Sequence, residues 1–192
     1  MNDRKELLIV DLDDTLIDTS SFKKDLFFAL ADKSELPYSK IEEIYLVCKI
    51  DGYSNLFSRF CRQICKLSKE KDLNCEEILR LTLEKIKIKR KILKYVKDYR
   101  GYKILLTLGD KKIQKAKIDF LEKKIDLLSI FNSVKIISHS KSSYICSLIK
   151  SNHLILNNKR FGKVAILDDR NHLLERLKKY SWIKILDLKS LT

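Results

Sequence analysis

The sequence predicts an α/β fold in which a parallel sheet is interrupted after its first strand by an all-helical insertion. Short apolar runs at residues 7–10, 102–107, 134–138, 164–167 and 182–186 have the length and continuity of strands buried on both faces. From residue 102 onward these runs alternate with segments of helical periodicity, the pattern of crossover units in a parallel sheet. Between residues 18 and 93 the apolar residues fall only at helical spacing, so the first run is cut off from the others by a helical block.

A chain of 192 residues with 45% apolar residues can bury one substantial core, or one core with a smaller inserted domain. The formal charge is +14, from 40 Lys and Arg against 26 Asp and Glu, which favours anionic partners. The basic residues are nevertheless spread along the whole chain. A compositional bias accounts for them better than a nucleic-acid-binding face, and nucleic acid is not the favoured partner. No run of about 18 uncharged apolar residues exists, and no secretory apolar region follows the first charged residues. A cytoplasmic protein with no membrane segment is expected, and an odd cysteine count of five agrees with a reducing compartment.

The run at 7–10 is a strand that stops at Asp11, Asp13 and Asp14. A first helix is expected over 21–33, with Phe22, Leu26, Phe27 and Leu30 as its apolar stripe. A second follows Pro37, with Ser39 and Glu42 spaced as a capping box and Ile41, Ile44, Tyr45 and Cys48 on one face. Asp51-Gly52 ends it. Helices are expected at 55–67 and at 76–89, the latter capped by Asn74 with Ile78, Leu79, Leu83 and Ile86 inward. Cys61 and Cys65 share a face of the third helix. Without a nearby His or second Cys pair they read as core cysteines rather than metal ligands. The basic run at 85–94 interleaves lysines with apolar residues and reads as a solvated helix face and hinge. His139, His153 and His172 have no mutual spacing that suggests a site.

In a parallel sheet the strands deliver their carboxyl ends to one edge, where ligands collect. Here those ends carry Asp11 and Asp13, then Thr107 followed by Gly109-Asp110, then Lys141 just beyond the third core run, then Asp168-Asp169. Carboxylates so dense repel unless a hard cation joins them, and Mg²⁺ held by carboxylates and a substrate phosphate is a standard arrangement. The amine and the hydroxyl suit phosphate oxygens.

With Asp11-Leu-Asp-Asp-Thr-Leu16, Thr107, Lys141 and Asp168-Asp169 in this order, the chain resembles the haloacid dehalogenase (HAD) superfamily of phosphohydrolases. The resemblance implies a Rossmann-like α/β core over 1–17 and 94–192 and a helical cap domain over 18–93. It implies that Asp11 is the nucleophile of an aspartyl-phosphate mechanism and Asp13 the general acid and base. Thr107 and Lys141 would bind the substrate's phosphoryl oxygens. Asp169, with Asp168, Asp11 and the backbone carbonyl of Asp13, would hold Mg²⁺. The dehalogenase branch typically lacks the second acid, so Asp13 favours a phosphatase acting on a small phosphorylated metabolite. The chain departs from the family pattern at Leu173, where relatives often carry an acidic residue or Asn, with Asn171 and Glu175 near but offset, and at Leu167, which stands in place of a glycine. A phosphotransferase is the nearest variant of this reading. A catalytically degenerate relative that binds phosphate or nucleic acid is the alternative of another class.

Overall fold

The apolar run near the N-terminus forms β1 (Lys5–Val10), and its alternation explains why the run is unbroken. Leu8 and Val10 pack into one hydrophobic cluster and Leu7 and Ile9 into another, so both faces of the strand are covered. The structure, a computed structural model, describes residues 5–69 and 73–191.

After β1 the chain turns at Asp14, whose φ of 54° is left-handed, and enters five successive helices. These are α1 (Thr19–Ser34), α2 (Tyr38–Ile50), α3 (Leu56–Leu67), α4 (Cys75–Leu83) and α5 (Arg90–Asp98). The predicted stripes are buried: Phe22, Leu26, Phe27 and Leu30 on α1, and Ile41, Ile44 and Cys48 on α2. Asp51-Gly52 breaks α2 as expected, with Gly52 at φ 85°, and the Arg59 guanidinium fastens the turn by donating to the carbonyls of Cys48 and Gly52 at 2.7 and 2.9 Å.

Four details differ from the sequence expectation. Pro37, not Ser39, occupies the N-cap of α2, and no side chain caps that helix; Pro fixes a backbone already suited to helix entry. The helix capped by Asn74 stops at Leu83 rather than running to 89. Residues 86–89 instead form an extended link. Asp18 N–H donates to Lys87 O at 2.9 Å, Lys89 N–H donates to Leu16 O at 2.8 Å, and Ile17 bridges Ile88. The ways into and out of the helical block are therefore paired side by side, and the basic run belongs to this link and to α5. The expected boundary between 93 and 94 falls inside α5. Finally, Cys65 is exposed and Cys61 half-buried, so the pair is not a core pair; both are free thiols.

The chain then lays down β2 (Tyr102–Leu108), α6 (Lys111–Ile125), a short α7 (Leu127–Ile130) and β3 (Ser133–Ile137). There follow α8 (Lys141–Ser147), β4 (Ile149–Lys150), β5 (His153–Leu156), β6 (Lys159–Leu167), a 3-10 segment over Asn171–Leu177 and β7 (Ile183–Leu186). The five expected strands form the parallel array β3-β2-β1-β6-β7. Strands β4 and β5 were not expected. They pair antiparallel with each other, and β5 pairs antiparallel with the first residues of β6 through a two-residue turn, Asn157-Asn158, with both residues at positive φ. The sheet is thus mostly parallel. Its first face shares one hydrophobic cluster with the inserted helices, running from Leu8 and Val10 through Leu16 and Ile17 to Phe27 and Phe60. No helix among the described residues is long and apolar enough to cross a membrane.

Candidate active site

Register alone brings the predicted residues to one edge. Val10 pairs with Leu105 on one side and Leu167 on the other, and Asp11 N–H continues the ladder by donating to Leu167 O at 2.8 Å. Asp11 and Asp168 are therefore neighbours, and Thr107 lies two residues beyond the β1 partner on β2. All three are buried, at 2%, 3% and 0% exposure.

Lys141, the first residue of α8, reaches into this edge. Its Nζ stands 2.6 Å from Asp11 Oδ1 and 2.6 Å from Asp168 Oδ2. The ammonium thus bridges the two carboxylates, and among the described residues no side-chain donor other than Lys141 meets the Asp11 carboxylate. The Thr107 hydroxyl is buried without a partner. Unsatisfied polar atoms in a buried site are uncommon and call for a ligand. Asp168 is further fixed by Arg170 N–H at 2.9 Å, and Asp169 by its own N–H, which donates to the buried Thr15 hydroxyl at 3.0 Å.

Burial pushes the Asp11 carboxyl up to about 8, opposed by Lys141 and reinforced by Asp168 and Asp13. Burial and Asp168 likewise raise Asp169. Carboxylate oxygens of Asp11, Asp168 and Asp169 all lie within 4.8 Å of one another. Hard oxygens in this number, from three groups crowded by like charge, fit a hard divalent cation such as Mg²⁺. Of the fourth-motif departures, Glu175 pairs at 2.6 Å with Lys178 on the surface; the side chains of Asn171 and Leu173 lie outside the described residues.

Asp13 is held differently. Thr19 Oγ1 and Lys117 Nζ donate to its Oδ1 at 2.6 Å each, and Gln114 Nε2 donates to its Oδ2 at 2.5 Å. Burial alone would raise this carboxyl, but Lys117 and the three donors outweigh it and hold the group below the usual carboxylate range. Gln114 can lie over the end of β2 because Gly109 has no side chain; a Cβ there would meet Gln114 Nε2 at 2.5 Å.

Gln114, Lys117 and Thr19 are partners that the sequence reading missed. A signal existed for two of them: on α6 they occupy buried positions, in line with Leu121, where an amphipathic helix places apolar residues. Arg170 was missed as well. It lies 3.8 Å from Asp169 and borders two cavities, one beside Lys141 and His172 and one of about 250 Å³ under α1, α2 and α3. Asp13, Gln114, Lys117 and Asp169 line the latter cavity, together with Phe22, Tyr45 and Phe57 from the helices. A larger hollow between α4 and α6 contains none of the expected site residues.

No protein-family model matches the chain, and no curated protein matches it by sequence. Solved structures do. A protein from Burkholderia xenovorans LB400 assigned as a haloacid dehalogenase-like hydrolase superposes with a TM-score of 0.70 at 15% identity, over 95% of this chain and 81% of that one. The HAD hydrolase YfnB from Bacillus subtilis, solved bound to magnesium, gives 0.52 at 12% identity over 85% and 79%. A protein from Thermotoga maritima assigned as a β-phosphoglucomutase gives 0.53 at 16% identity over 95% and 86%. The chain therefore has the fold of the haloacid dehalogenase-like hydrolases.

Proposed function

We propose that the protein is a Mg²⁺-dependent phosphohydrolase that cleaves a small phosphomonoester through an aspartyl-phosphate on Asp11. The observation that carries this reading is the buried Asp11 carboxylate met only by the Lys141 ammonium, set beside Asp168 and the partnerless Thr107 hydroxyl.

Asp11 attacks phosphorus, and the bond to the leaving oxygen breaks as that oxygen takes a proton from Asp13. Water then attacks the acyl phosphate, Asp13 accepts a proton, and phosphate leaves with Asp11 restored as a carboxylate. The ionised Asp13 of the ligand-free site suits the second half. An arriving phosphate dianion raises a neighbouring carboxyl's affinity for a proton and prepares the first. Lys141 Nζ and Thr107 Oγ1 donate to the phosphoryl oxygens, and Lys141 also offsets repulsion between the substrate and Asp11. Asp11, Asp168, Asp169 and the Asp13 carbonyl would hold Mg²⁺, which when bound neutralises the phosphoryl oxygens and keeps Asp11 ionised. In this reading residues 18 to about 88 are a cap, bounded by the paired links at 16–18 and 87–89, that keeps water from the reacting group.

With p-nitrophenyl phosphate we expect phosphate release that requires Mg²⁺, stops with chelator, and is lost in Asp11→Asn. A folded protein inert across a panel of phosphomonoesters would refute turnover and point to binding alone. Yield of a new ester when an alcohol acceptor is added would identify a phosphotransferase.

A further inference from the structure

The cavity under the helices has a charge pattern that the hydrolysis of a phosphomonoester does not use. Four acids and four bases border it, and most are already matched. Asp13 is paired with Lys117 at 2.6 Å, and Asp169 stands 3.8 Å from Arg170. Asp14 accepts from the backbone N–H groups of Thr19 and Ser20, and Asp110 caps α6 while accepting from Phe57 N–H. That leaves Lys23 on α1 and Lys49 on α2, which form no ion pair among the described residues.

These lysines are positioned rather than loose. Lys23 Nζ stands 4.4 Å from the centre of the Tyr45 ring and 5.0 Å from that of Phe27, and Lys49 Nζ lies 6.0 Å from the centre of Tyr53. The rings are themselves fixed: Phe27, Tyr45 and Phe60 contact one another with centroids 5.1 to 5.6 Å apart. Burial and then Lys49 hold the Lys23 ammonium below its ordinary value, only partly offset by Glu42. Two cations that repel one another, held by aromatic faces at the border of a cavity, are stabilised by an anion between them.

We propose that Lys23 and Lys49 form a second anion subsite on the helical side of the cavity, and that the substrate is a phosphomonoester whose body carries a further carboxylate or phosphate. This rests on the phosphohydrolase reading for the position of the transferred phosphoryl group at Asp11. The aromatic wall accepts a flat or apolar body between the two charged ends, and a volume of about 250 Å³ restricts that body to a small molecule.

The test compares phenyl phosphate with 4-carboxyphenyl phosphate in the presence of Mg²⁺, in the wild type, Lys49→Gln, and Lys23→Gln/Lys49→Gln. The wild type should favour the carboxylated ester by tenfold or more in kcat/KM, chiefly through KM. The preference should fall at least tenfold in the double variant, part of the way in the single one, and with added salt. A wild type that treats the two esters alike, or a preference unchanged in both variants, would overturn the subsite. A parallel calorimetric comparison of benzylphosphonate with 4-carboxybenzylphosphonate needs no turnover. Lysine-dependent preference there with no hydrolysis of either ester would support the subsite while refuting the hydrolase; equal binding of the two phosphonates refutes the subsite alone. Replacing the carboxylate by a second phosphate in both assays tells which anion is preferred.

Discussion

At the scale of single residues, the site divides into a carboxylate met by one ammonium and a carboxylate fully dressed. Asp11 faces Lys141 alone, and Asp13 has three donors. Lys117 is the strongest influence holding Asp13 ionised. Replacing Lys117 by Met should let the Asp13 carboxyl rise, moving the basic limb of the kcat/KM profile, where the general acid of the first step loses its proton, toward higher pH by about one unit. It should also cost about 2–4 kcal/mol of stability, because a largely buried carboxylate loses its counter-ion. A basic limb that stays in place would argue that Asp13 is not the titrating group. Asp11 was legible in the sequence because an apolar strand ended abruptly in acids, and Thr107, Lys141 and Asp168-Asp169 because parallel strands share an edge. Lys117 and Gln114 were half legible, as polar residues on a helix face that should be apolar. Arg170 was not, since the direction of its side chain is set by a loop that leaves no periodic trace.

At the scale of elements, Asp110 links the inserted helices to the sheet. Its Oδ1 accepts from Lys112 and Ile113 N–H at the start of α6, at 2.9 and 3.1 Å, while its Oδ2 accepts from Phe57 N–H near the start of α3 at 3.2 Å. Asp110→Ala should lower the unfolding free energy by about 2–3 kcal/mol, from one lost cap and one buried N–H left unpaired. Asp110→Asn, whose one accepting oxygen can keep the α6 cap while its NH2 faces Phe57 N–H, should lose about 1–2 kcal/mol; a loss equal to that of alanine in urea titrations would show that the cap alone contributes nothing. The helices themselves were readable from their stripes. The end of α4 was not, because residues 84–89 keep helical spacing while the backbone of 87–89 is taken up by pairing with residues 16–18. The β5-β6 hairpin was missed although Asn157-Asn158 between two strand-like runs is the type of two-residue turn that makes one.

At the scale of the whole molecule, the buried acids make the metal-free protein sensitive to pH. The folded-state carboxyl of Asp11 lies at about 8, above its unfolded value of 3.8, so the native state holds the extra proton between those limits. Stability contributed by Asp11 is therefore lost as pH rises from about 4 to 8. In chelator, Asp11→Asn should melt above the wild type at pH 8, by roughly 2–6 °C, and the gap should close at pH 4. Addition of Mg²⁺ should raise the wild-type Tm at pH 8 and change that of Asp11→Asn much less. An Asp11→Asn Tm at or below wild type at pH 8 would remove the case for a destabilising buried carboxylate. The overall architecture was legible because strand and helix periods alternate along the chain. The cavity was not: Lys23, Lys49, Asp13 and Lys117 come together only when three separate segments pack, and no local pattern records that.

The central claim is that Asp11 becomes covalently phosphorylated during turnover. The most direct measurement is mass spectrometry of the Asp11 peptide after acid quench during hydrolysis of p-nitrophenyl phosphate with Mg²⁺. A phosphoryl group on Asp11, removed by hydroxylamine and absent in Asp11→Asn, is the predicted result. Sustained hydrolysis with Asp11 unmodified at every quench time, or with the phosphoryl group on another residue, would contradict it.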